Sequence, residues 1–373
     1  MHTLTRLCSA FISLCALNLP AHADTPASPD SIDTIVTQAA SAFAHDPHHV
    51  GLSIGILKDG IRHTYHFGAI DRANHQLPTD RTIYEIASVT KTYTGILLAQ
   101  AVMDGKLNLD DDVQKYLPGD FSNLSFGGVP VQIMHLANHT AGFSKQIRVF
   151  KNGASPAAIL ASYGNYSQAM FLQDLRQVKI ADFPGTRFAY SNVDAQLLGI
   201  ILEKVYHLSY EQLVAKYIAR PNDMTDTSTT VPAADSGRVA VGYDGKGERM
   251  PEMTFWRAVP AAGFLKSTVS DQLNYLQWNL DEASPVVALS HRTLFTGTDE
   301  AGDDIAMFWF TRRLPDGSRE IRHAGGSFGS TSYIALYPEA HTGIVLLAND
   351  ADASSEKELK AMAERIVAKL NPQ

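Results

Sequence analysis

Apolar positions recur at helical spacing over residues 29–44, where Ile32, Ile35, Val36, Ala39 and Phe43 share one face behind Ser28 or Asp30 as a cap; this predicts an N-terminal helix. Two β-type runs follow, GLSIGILK at 51–58 and IRHTYHFG at 61–68. Asp59-Gly60 joins them, a dipeptide that favours tight hairpin turns. The period becomes helical over about 88–105, and further helical segments are expected near 157–177, 192–206, 209–218 and 270–283. After residue 304 strands return as IAMFWFTRR, REIRHAG, STSYIALYP and GIVLLAND, with Pro315-Asp316-Gly317 as one turn and His341-Thr342-Gly343 as another. A last amphipathic helix is expected over about 355–370.

A hairpin first, helices in the middle and strands with a helix last predict an α+β fold. Its sheet would be antiparallel, of five strands or slightly more, flanked by the N- and C-terminal helices. The division expected is a sheet domain from 24–85 and 290–373, with 86–289 inserted as a mostly helical domain. A cleft between the two is the natural place for a site.

The first 23 residues change the setting. Arg6, an apolar stretch over 7–19, Pro20 and Ala21-His22-Ala23 predict a cleavable secretory signal, residues 1–23, and so an exported, periplasmic protein. The apolar stretch is short for a membrane span. Leucine precedes both Cys8 and Cys15, where a lipid-attachment site needs a small residue, so no membrane anchor is expected. Both cysteines fall inside the signal, which excludes disulfide and thiol chemistry from the processed chain. Thirty-one basic against 39 acidic side chains leave a net charge of −8, one more negative without Arg6. That balance argues against a nucleic-acid partner.

Three short patterns carry chemistry. Ser88-Val89-Thr90-Lys91 opens the second expected helix, and residues three apart share a face, so the Lys91 amine can reach the Ser88 hydroxyl. Free N–H groups at a helix start favour an oxyanion, while the dipole and burial favour a neutral lysine that serves as a base. Tyr190-Ser191-Asn192 precedes another apolar-periodic helix; the tyrosine can relay protons, and the asparagine amide can hold a substrate carbonyl and the lysine. His323-Ala324-Gly325-Gly326 ends an expected strand, where glycines allow a ligand backbone to lie along the edge and the Gly326 N–H could pair with that of Ser88. Each pattern has a decoy in the same chain: Ser354-Ser355-Glu356-Lys357, Tyr163-Gly164-Asn165 and His341-Thr342-Gly343.

The ordered set resembles the serine β-lactamase and penicillin-binding protein family, in its class C, DD-carboxypeptidase and related esterase branch. Glu85 to Thr92, LNLDDDVQKYLP at 107–118, His139-Thr140-Ala141-Gly142, Pro184-Gly185-Thr186 and 344–349 look like further landmarks, so the resemblance extends over most of the chain. It implies a β-lactamase/DD-peptidase-like architecture. It also implies that Ser88 is acylated, that Lys91 and Tyr190 share the proton transfers, that Asn192 orients the scissile group, and that His323, Gly325 and Gly326 face the substrate. No metal or organic cofactor is implied. The substrate class implied is a small molecule or peptidoglycan-type amide.

The family's β-lactamases usually carry lysine and threonine where this chain has His323 and Ala324. Histidine is only partly charged near neutrality and alanine donates no hydrogen bond, so weaker carboxylate recognition is expected. D-alanyl-type amides, β-lactams and small esters therefore all stay open, as does a sensor that is acylated and does not turn over. Gly325 to Gly329 also fits G-x-S-x-G, but a nucleophile elbow needs a helix after the serine and a strand pattern follows Ser327. His45, His48, His49, His63 and His66 are read as solvated rather than metal-binding. Trp256, Trp278 and Trp309 are read as core or cleft-wall aromatics.

Overall fold

A computed structural model describes residues 31–148, 154–297 and 302–371, so the expected signal lies outside the described residues. The N-terminal helix, α1, spans Ile32–His45 and is capped by Ser31, whose hydroxyl accepts from the Thr34 N–H. That cap replaces the expected Ser28 or Asp30. The hairpin forms as expected from β1 (Gly51–Lys58) and β2 (Ile61–Gly68), with Lys58 opposite Ile61. Asp59 and Gly60 both take positive φ, 50° and 80°, the turn whose twist matches paired strands.

The sheet has seven strands, slightly more than five as expected. Its later members are β3 (Asp304–Ile305), β4 (Phe310–Arg313), β5 (Arg319–Gly326), β6 (Thr331–Tyr337) and β7 (Thr342–Ala348). The order across the sheet is β2-β1-β7-β6-β5-β4-β3, with antiparallel neighbours throughout. Strand periodicity sorts its central side chains to two faces. Ile54, Ile344, Leu346 and Ala335 pack with Val36, Phe43, Met362 and Ile366 of the terminal helices. Val345, Leu347, Ile334 and Leu336 join the larger core beneath the other helices. The C-terminal helix, Ser355–Leu370, matches its expected span.

Two expected elements break. The apolar run at 305–313 is not one strand, because Ala306 to Trp309 turns inward between β3 and β4, with Phe308 at φ 63°. Phe308 N–H donates to Ala137 O at 2.8 Å and Met307 N–H to Ser290 O at 3.1 Å. Core packing thus overrides a locally β-like sequence. The helix expected near 157–177 is two helices, Pro156–Tyr163 and Gln168–Leu175, parted at Gly164, whose φ is 49°. Among the described residues no helix is long and apolar enough to cross a membrane.

Candidate active site

Ser88 sits in a tight turn, Ala87–Val89, that leads into helix α2, Thr90–Met103. Ala87 takes φ 43°, a left-handed conformation that costs a residue with a side chain energy and has to be held by its surroundings. Ile86 O accepts from the Ser332 hydroxyl at 2.7 Å and Ile86 N–H donates to Leu265 O at 3.1 Å. Gly325 presses on the same turn: a methyl group there would meet Ile86 O at 2.7 Å and Ser88 N at 2.8 Å. Its missing side chain therefore serves the approach of strand to turn, whereas a ligand's approach was expected to require it.

Lys91 is fully buried in the first turn of α2. Its Nζ lies 3.0 Å from Ser88 Oγ, 2.7 Å from Asn192 Oδ1 and 2.6 Å from Ala262 O. The last two are acceptors and need one N–H each. A neutral amine has two N–H bonds and one lone pair, so the lone pair falls toward Ser88. Burial holds Lys91 well below the usual lysine range, and the nearby Lys145 adds to the effect. Ala262 reaches this position because Gly199 leaves room for Ala261, whose carbonyl accepts from the Thr94 hydroxyl at 2.8 Å.

Asn192 begins helix α3, Asn192–Tyr206, behind the cap Ser191. The Ser191 hydroxyl accepts from Val193 N–H at 3.0 Å and donates to Ser144 O at 2.7 Å. Asn192 N–H donates to Lys145 O at 2.9 Å. With its Oδ1 on Lys91, the Asn192 amide nitrogen is left to face the cavity as a donor. The Tyr190 ring lies 4.9 Å from Lys91 Nζ. Burial pushes its hydroxyl above the usual phenol range, against the opposing hydrogen bond with Ser88.

His323 comes from β5 and is buried at 2 % exposure. Its Nδ1 lies 2.5 Å from Ala324 O, an acceptor, so Nδ1 carries the hydrogen. Nε2 is then a lone pair, buried and without a partner among the described residues. Burial, with Lys91 nearby, lowers its pKa to about 3. The expected partial charge is therefore absent near neutrality.

Ser88, Tyr190, Asn192, His323 and Gly326 line one cavity of about 540 Å³. Neither Ser354 nor Tyr163 of the decoys lines it: the Ser354 hydroxyl donates to Asp352 and Glu358 at the start of the C-terminal helix, and Tyr163 stacks on Phe255 at 4.1 Å. Ser327 is followed by β6, not by a helix. Trp256 lines the cavity, while Trp309 is in the core.

Sequence patterns missed several neighbours. His139 and Asp194 are fully buried, 2.7 Å apart, with the His139 ring 4.6 Å from that of Tyr190. His139 Nδ1 also accepts from Ser191 N–H at 3.3 Å. An atom that accepts there has no hydrogen of its own, so Asp194 carries the proton between the two. Burial raises the Asp194 pKa and lowers that of His139, which agrees. The signal for Asp194 was a carboxylate within an apolar-periodic helix. Lys145 and Glu356 also line the cavity, and Glu356 belongs to the decoy motif at 354–357.

The sequence model of the family described as Beta-lactamase matches residues 36–369. A Staphylococcus aureus protein named Protein flp is 30% identical over 340 residues, covering 86% of this chain and 63% of its own length. The chain thus spans a little under two thirds of that relative. An Escherichia coli Beta-lactamase is 26% identical over 380 residues, covering 90% of this chain and 94% of the relative. Among solved structures, a Yersinia pestis Beta-lactamase/D-alanine carboxypeptidase complexed with citrate superposes with a TM-score of 0.78 at 22% identity, over 91% of this chain and 98% of its own. A class C beta-lactamase gives 0.77 at 23% identity, over 92% and 97%.

Proposed function

Because the chain belongs to the beta-lactamase family, we propose that it is an acyl hydrolase working through a Ser88 acyl-enzyme, on D-alanyl-type amides or β-lactams. The observation that carries this is the Lys91 amine, whose two acceptor partners leave its lone pair to Ser88 Oγ at 3.0 Å. Ser88 Oγ bonds to the substrate carbonyl carbon as its proton passes to Lys91 Nζ. The oxyanion meets the N–H groups of Ser88 and Gly326. The proton reaches the leaving nitrogen or oxygen through the Tyr190 hydroxyl as its bond to carbon breaks. Asn192 steers the carbonyl. Water, activated by the same groups, then releases the acid and restores Ser88.

A carboxylesterase using the same serine is the second reading. It is favoured by Ala324 and by a neutral His323 that offers a substrate carboxylate neither charge nor hydrogen. The leader-like residues 1–23 support a periplasmic location, testable by cell fractionation.

Purified protein incubated with fluorescent penicillin should become labelled at Ser88, with turnover of nitrophenyl acetate or butyrate, or of a peptide ending in D-Ala-D-Ala, identifying the leaving group. No labelling and no turnover, or turnover that survives in Ser88→Ala, overturns the assignment.

A further inference from the structure

The end of the cavity beside Gly326 has an unusual charge. Glu356, in the first turn of the C-terminal helix, reaches over the end of β5; a methyl group on Gly326 would lie 2.7 Å from its Oε1. The carboxylate therefore stands beside an N–H proposed to hold the oxyanion. Among the described residues no hydrogen bond or ion pair engages it. The helix start favours an acidic residue at this position, but does not require its carboxylate to line a cavity.

Of the cations around the cavity, Arg322 and Lys91 are occupied and Lys145 lies outside ion-pair distance of it. Arg322 lines the cavity, yet its guanidinium is held by Asp303 and, at 3.3 Å, by Glu320. Lys91 is committed to Asn192 and Ala262. Lys145 extends from the Asn192 side and makes no ion pair with Glu356. On the strand side, His323 shows the cavity a buried lone pair with no partner. Trp256, Phe310 and Phe328 line the same cavity, and ring faces attract cations, as the Arg322 guanidinium 5.7 Å from the Phe310 ring centre shows. An acceptor without a donor, an exposed carboxylate in no ion pair among the described residues and aromatic side chains thus line one cavity.

We propose that the substrate carries a positively charged nitrogen on its acyl group, seated against Glu356 and the aromatic wall while its carbonyl is presented to Ser88. This rests on Ser88 being the acylated residue. The substrate's charge would offset a carboxylate that otherwise opposes the oxyanion, and a substrate carboxylate at the same place would be repelled. A primary or secondary ammonium would also donate to His323 Nε2. The substrate class is a cationic ester or amide, and the anionic end of an ordinary β-lactam is disfavoured there.

Three nitrophenyl esters of matched shape test this: that of trimethylammoniobutyric acid, that of its neutral carbon isostere dimethylhexanoic acid, and the monoester of glutaric acid. A quaternary nitrogen prevents the ester from cyclising on itself. The expected order of kcat/KM is cationic, neutral, anionic, with about tenfold between the first two. In Glu356→Gln the cationic-to-neutral ratio should fall by about the same factor, and Glu356→Lys should favour the glutarate ester. Equal or reversed preference in the unaltered protein overturns the proposal while leaving the Ser88 assignment standing. So does a ratio unmoved by Glu356→Gln. If no ester acylates Ser88, as read by intact-protein mass, the underlying assignment fails and the inference falls with it.

Discussion

The helical and strand walls of the cavity are built in opposite ways. On the helical wall Lys91 has each of its three bonding directions used, by Ser88, Asn192 and Ala262. Behind it, off the cavity lining, His139, Asp194 and Ser191 are joined to one another, with His139 Nε2 and Asp194 Oδ1 left without a partner among the described residues. On the strand wall His323 Nε2 is buried without a partner and Glu356 is unpaired among the described residues. A group that moves a proton needs its geometry fixed before the substrate arrives. A group that chooses a substrate gains by leaving its bonding capacity to be completed by that substrate. On the proposed function, the difference gives chemistry to one wall and selection to the other.

Removal of the helical wall's groups should be most costly. Ser88→Ala is expected to abolish covalent labelling, and Lys91→Ala to lower kcat by roughly a thousandfold, read by stopped-flow acylation. Since only neutral Lys91 is a base, activity should fall as pH drops through its lowered pKa and hold above it. An acid limb near the ordinary lysine range would contradict this. Asp194 separates orientation from charge. Asp194→Asn, which keeps a donor toward His139, should retain far more activity than Asp194→Ala, and the ratio measures the value of that hydrogen bond.

The adjacent glycines sharpen the comparison at smaller scale. Gly325→Ala must displace backbone at Ser88 and Ile86, so a loss of about 1–3 kcal/mol is expected in urea denaturation, together with a sharp drop in kcat. Gly326→Ala meets only the end of the Glu356 side chain, which can move. Its stability cost should be well under that of Gly325→Ala, with its effect mainly on substrate preference.

The smallest expected effect concerns stability and acidity. His323 has a folded pKa of about 3 against an ordinary value of 6.5. The unfolded chain therefore binds the extra proton first, and stability is lost as pH falls from about 6.5 toward 3 and is fully present above. At pH 5 this one group should cost up to about 2 kcal/mol relative to pH 7. The difference between urea midpoints at the two pH values should shrink in His323→Gln. An unchanged difference would mean that His323 is not held neutral by the fold.

Local pattern carried far because several signals here are local. Asp59-Gly60 specifies its own turn, and alternation in 344–348 sorts side chains to two faces whatever lies beyond them. Ser88 and Lys91 are one helical turn apart, so their meeting needs little from the rest of the chain. The inward turn at 306–309 was illegible because its hydrogen bonds go to Ala137 and Ser290, far away in sequence.

The sequence alone therefore determined most of the order of elements, the α+β class and the residues proposed for acyl chemistry, since these follow from periodicity and side-chain type. Tertiary structure decided their condition. A backbone carbonyl at Ala262 completes the Lys91 site, and burial makes His323 neutral. A glutamate from a motif with no catalytic geometry of its own comes to lie beside Gly326. Burial and hydrogen-bond partners are properties of three-dimensional neighbours, and those neighbours come from segments distant along the chain.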